Sequence, residues 1–138
     1  MARDPLQVLL RLRGIALDQA RRTLADRLRD EAAAAERSAG IAAAIVQEAG
    51  VQHALPADGR TMDGYAAWLA RTQAAQRQAQ TAAHACAAAT ADARASLSEA
   101  RGDTRALEVA LEHARDVRRA AAARQEQMTL DEVAGSRR

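Results

Sequence analysis

Counting in sevens from Tyr65 gives Thr72, Ala79, Cys86, Ala93, Ala100, Leu107, Ala114, Ala121 and Met128, and none of these residues is charged. Counting in sevens from Leu69 gives Gln76, Ala83, Thr90, Leu97, Thr104, Leu111 and then Arg118. The two series lie four and three residues apart. They form the a and d lines of a coiled-coil stripe about nine heptads long. A repeat of 3.5 residues suits a helix whose stripe faces a second helix; a strand would alternate every second residue. No proline interrupts the chain after Pro56. The pattern therefore predicts one helix over about 63–134, roughly 105 Å long if straight. Gly102 is its weak point, because glycine costs about 1 kcal/mol against alanine in a helix interior.

The partner lies upstream. Leu10, Leu17 and Leu24 share one heptad position, and Ile45 returns to it, with Leu6, Leu28 and Ile41 flanking this seam. Asp4 can cap this segment, and Pro5 suits a first helical position, where its missing N–H would be unpaired anyway. This predicts a first helix over about 5–49, near 70 Å in length at about 1.5 Å per residue. Between the two, "AGVQHALPADGRTMDG" (49–64) holds Gly50, Pro56 and the Asp58-Gly59 pair, which are turn formers. A turn is expected over about 50–62, with Thr61 or Asp63 capping the second helix.

A short link makes consecutive helices antiparallel neighbours. Folding the chain about residue 57 sets Ile45 near Leu69, Leu17 near Leu97, Leu10 near Leu107 and Leu6 near Leu111. Between these clusters the facing residues are Ala, Ser, Thr, Cys and Gln. The expected fold class is all-α. Two long helices form a single antiparallel coiled-coil hairpin with a slim alanine waist, its axes about 8 Å apart there. The C-terminal helix is the longer and overhangs. Composition agrees: only 1% of residues are aromatic, and alanine dominates the 49% hydrophobic fraction. Such a chain cannot fill a wide core but favours long helices.

Several function classes fall away. Every basic residue is arginine, so no phosphate-binding loop of the G-x-x-x-x-G-K-[ST] type exists. The net charge is +2 with acids interspersed, which argues for solvated helix faces and against nucleic-acid binding. One cysteine excludes an internal disulfide. No apolar run is long enough to span a bilayer and no signal peptide is seen, so a cytoplasmic location is expected. His84 and Cys86 are two apart on a helix and point to different faces, whereas helical metal ligands sit three or four apart. His53 and His113 are expected to be solvated, and "RGD" at 101–103 falls within a helix. Two paired helices offer no concave pocket. No catalytic residue, metal, cofactor or small-molecule substrate is expected, and the chain reads as a binding protein.

Three stretches resemble one family. "LLRLRGIALDQARRTLADRL" (9–28), "YAAWL" (65–69) and "RQEQMTLDEVA" (124–134) are similar, in order and spacing, to segments of FliJ-type flagellar export proteins. The first matches that family's leucine/arginine start followed by an acid and Ala-Arg. The second matches its Tyr-x-x-aromatic-aliphatic opening of the second helix, and the third its late Arg/Glu/Gln run. The resemblance covers nearly the whole chain. It implies an antiparallel coiled coil similar to the central stalk of rotary ATP synthases. It also implies binding and stimulation of the hexameric export ATPase of the type III secretion system, with contacts to the export gate membrane protein and to export chaperones. The location implied is the cytoplasmic face of the membrane at the flagellar base, and the free protein would be a monomer.

Carried onto this chain, the resemblance places the ATPase-facing end at Arg11, Arg13, Arg21 and Arg22 of the first helix and Arg115, Arg118, Arg119 and Arg124 of the second. Arginine binds carboxylates in a bidentate way. The gate-contacting segment falls on Tyr65, Trp68, Leu69 and Thr72. Thr72 departs from the family, where a larger aliphatic residue is usual. Tyr65, Leu69 and Thr72 are stripe residues that packing explains. Trp68 falls at the stripe's edge, either as a half-exposed binding anchor or as a cover lying across Ala44 or Ile45. The alternatives are a YscO-like virulence secretion component, a generic coiled-coil scaffold or chaperone and, further off, an arginine-rich nucleic-acid binder.

Overall fold

The computed structural model describes residues 5–136. The fold is all-α: helix α1 spans Pro5–Ala54 and helix α2 spans Gly59–Gly135. The expected Asp4 cap lies outside the described residues.

The connection is much shorter than the turn signals suggest, and the reason is local. Gly50 stays helical, and among the described residues none, glycine included, takes a positive φ. Helix α1 therefore continues until Pro56, which has no N–H to donate. Its last turn tightens, with the Leu55 N–H bonding the Gln52 carbonyl at 3.3 Å. Asp58, rather than Thr61 or Asp63, caps α2. Its Oδ1 accepts the Arg60 N–H at 3.3 Å, its Oδ2 accepts the Thr61 hydroxyl at 3.5 Å, and its carbonyl accepts the Met62 N–H at 2.9 Å. Four residues, 55–58, suffice to reverse the chain.

Backbone contacts gather in two units, one of residues 20–97 and one combining 5–19 with 98–136. In the 20–97 unit, Gln76 Nε2 lies 3.4 Å from Ser38 Oγ, and the Thr90 hydroxyl lies 3.2 Å from the Arg27 carbonyl. Numbers fall along α1 as they rise along α2, so the helices run antiparallel. The Gln76–Ser38 pair is centred on residue 57, the expected fold-back point. The Thr90 contact reports the spacing. A threonine side chain is short, so it reaches a neighbouring helix's main chain only where the two backbones approach closely. Thr90 is fully buried, and Ala93, one turn on, is buried as well. Ala34 is buried further along the seam, where it lines a groove with Ala75, Ala79 and Ala82.

The α1 side of the seam is more polar than its leucines suggest. Glu31, Ser38 and Gln52 complete the Leu24–Ile45 heptad line, and all three are half-buried. Leu28, expected to flank the seam, is 41% exposed. The flanking line instead runs through Ala20, Ala34, Ile41 and Glu48, spaced in multiples of seven, and Leu28 falls off it.

In the other unit, Arg13 Nη1 bonds Asp103 Oδ2 across the helices at 2.8 Å. Leu9, Leu107 and Ala110 line a groove beside that pair, and Gln7 lies with Arg115, again antiparallel. Leu6, Leu10 and Leu17 are half-buried on α1. Ala100, Thr104 and Leu107 are half-buried on α2, and Leu111 is buried. Helix α2 passes through Gly102 without a break. The stripe continues in sequence past Ala114, where Arg115, Arg118 and Arg119 still line a shallow groove with Gln7 of α1, but α1 does not bury it. Every residue from Arg115 to Ser136 is exposed, including the stripe positions Arg118, Ala121 and Met128. The packed seam therefore ends two heptads before the sequence pattern does.

Candidate functional site

The first cluster lies on the opening turns of α2. Tyr65, Leu69 and Thr72 sit on the stripe and are half-buried. The Thr72 hydroxyl donates to the Trp68 carbonyl at 2.9 Å, so its polar atom is spent on its own helix. Trp68 is also half-buried. Its ring stacks on Tyr65, one turn away, with centroids 6.0 Å apart and planes inclined by 22°. Residues three apart on a helix are neighbours, and such a pair is worth about 1 kcal/mol. The stacking leaves Trp68 both a packing role and an accessible edge.

Tyr65 also walls an open groove formed with Leu55, Pro56 and Met62 around the interhelical connection. Leu55 is 46% exposed and Met62 60%. Leu55 lies seven residues after Glu48 and Met62 seven before Leu69, beyond the ends of the counted heptad lines, and sequence reading passed over them. Their signal is their place, large side chains flanking a Pro and an Asp-Gly pair where polar turn residues are the rule.

The eight arginines divide between the units. Arg21 and Arg22 belong to the 20–97 unit, and Arg11, Arg13, Arg115, Arg118, Arg119 and Arg124 to the other. Arg115, Arg118 and Arg119 come together around Gln7 in a shallow open groove. Arg13 is held by Asp103 and Arg119 by Asp116 at 3.1 Å, while Arg118 Nε donates to the Ala114 carbonyl at 3.3 Å. These contacts are solvent-exposed and individually weak, about 0–1 kcal/mol for each ion pair. They leave the guanidinium groups available for exchange onto a carboxylate partner.

His84 is exposed and Cys86 half-buried on the seam. Among the described residues no three His, Cys, Asp or Glu side chains gather as metal ligands would. No helix is long and apolar enough to cross a membrane. The surfaces on offer are an aromatic and apolar patch near the connection and a basic groove around Gln7. The chain matches no family model, no curated protein and no solved structure.

Proposed function

We propose that this chain is a FliJ-type component of the flagellar protein export apparatus, acting by binding and without chemistry of its own. The observation that carries the reading is the end of α2. After two-helix packing up to Ala114, a further stretch of the same helix stands exposed on every side, and its first half is arginine-rich. A single helix free of its partner is the element a stalk presents to the inside of an ATPase ring. Arg115, Arg118 and Arg119, with Arg11, Arg13 and Arg124 in the same unit, supply cations for ring carboxylates. Arg21 and Arg22 are further cations, on the 20–97 unit. Tyr65, Trp68, Leu69 and Thr72 form the face for the export gate, with Trp68 as its anchor. Export chaperones are further partners, and the working location is the cytoplasmic face of the membrane at the flagellar base.

The test is direct. Added in equimolar ratio to six ATPase subunits or below, the chain should raise the partner's ATP hydrolysis rate and promote its hexamer in light scattering. An unchanged rate and unchanged ATPase mass would overturn the reading.

A further inference from the structure

The exposed stretch of α2 carries a second message. Its d line, half-buried at Ala114, continues through Ala121 and Met128, and Met128 is 70% exposed. Val117, one turn before Ala121 on the edge of that face, is 53% exposed. Apolar side chains left in water gain from a cover. The pattern continues an interface that upstream is filled by α1, and the natural cover is another helix.

The charges indicate which helix. Residues 115–124 hold Arg115, Arg118, Arg119 and Arg124 against a single acid, Asp116. Residues 125–135 hold Glu126, Asp131 and Glu132 and no base. A segment basic in its first half and acidic in its second complements itself only when two copies run antiparallel. We infer that this segment pairs with the same segment of a second copy of the chain, antiparallel and centred within about one turn of Gln125. Arg124 then faces the partner's Asp131 across the edge of the seam, with Gln125 and Met128 between the helices. A two-fold interface makes each match twice. A parallel pair would set arginine on arginine. The pairing competes with the Gln127–Asp131 contact within one helix, at 3.2 Å. That contact is exposed and easily exchanged. The paired segment is the one proposed to enter the ATPase ring, so pairing and ring entry exclude each other.

Sedimentation velocity on the full chain alone, with no ATPase, tests the pairing apart from the export reading. The expected result is a reversible monomer–dimer equilibrium that weakens by about tenfold or more between low and high salt. R124E and D131R should each be monomeric with unchanged helicity, and their equimolar mixture should regain the dimer. With Cys86 replaced by serine, Q125C should be cross-linked by a short bismaleimide and G40C should not. A chain monomeric at every concentration, a dimer that survives both charge reversals, or a mixture that stays monomeric would each overturn the inference.

Discussion

Thr90 is the most buried polar residue described, and its single hydroxyl hydrogen serves two carbonyls, Cys86 at 3.1 Å on its own helix and Arg27 at 3.2 Å across the seam. Thr90→Val keeps the shape and removes the donor. It should cost about 1 kcal/mol in urea denaturation. Thr90→Leu has no room between close backbones and should cost more, about 1–3 kcal/mol from overpacking. Equal costs for the two would contradict a tight waist. Trp68 separates packing from binding. Trp68→Phe should keep the Tyr65 stacking and most stability, while Trp68→Ala should lose about 1 kcal/mol. Both should weaken binding of the export gate's cytoplasmic domain in a calorimetric titration, Ala by about tenfold or more. Trp68 was legible as a residue at the stripe's edge and Tyr65 as a member of the stripe; the stacking of the two rings was not, because heptad counting assigns faces rather than ring contacts. Glu31 was illegible for the opposite reason. A charged residue on a seam reads as a break, yet Glu31 is half-buried and its Oε2 is buried without a hydrogen-bond partner. Gln76 Oε1 is in the same position, so the seam tolerates polar atoms that cost stability.

At the level of elements, the α2 stripe was almost wholly legible. Every member of both heptad series from Tyr65 to Ala114 is buried or half-buried. Two lines four and three residues apart can face one neighbour only if the helix is continuous, so periodicity alone carried that result. The helix ends were less legible. Gly50 looked like a breaker, but glycine also tolerates helical φ, and only Pro56 removes a donor outright. The same tolerance makes a prediction. Gly14 and Gly102 are both helical, and a Cβ built on either meets nothing within 4 Å. Gly14→Ala and Gly102→Ala should each stabilise by about 1 kcal/mol, and the pair by about 2, since the added methyl groups share no contact. Chemical denaturation reads this as a rise in midpoint without a change in slope.

For the molecule as a whole, what counts is which surface is shared and which is left over. Few residues are buried: Ala34, Thr90, Ala93, Leu97 and Leu111 among the described residues. Stability therefore comes from many half-buried stripe positions rather than from one centre, and residues off the stripe contribute little. Ending the chain after Ala120 should change the thermal midpoint by only a few degrees, because every residue from 121 to 136 is exposed. The same truncation should abolish stimulation of the export ATPase. A large fall in melting temperature would show that the α2 extension is structural. The docking surfaces were legible only in part. Arginines can be counted in a sequence, but which of them converge depends on the other helix, and α1 brings Gln7 to Arg115, Arg118 and Arg119.

The bond from Thr90 to the Arg27 carbonyl also bears on how the 20–97 unit responds to load along its helices. Alanine-lined helices present a nearly smooth track, and shear could slide one past the other. The buried hydroxyl acts as a pawl. Any slip short of a full heptad moves it off a carbonyl and wedges it against a side chain. A slip of a whole heptad, about 10 Å along the axis, would return it to an equivalent carbonyl, beside Ala20 or Ala34. Axial force should thus be resisted in steps rather than by gradual creep, and optical-tweezer records of the unit pulled in shear should show discrete jumps of that size.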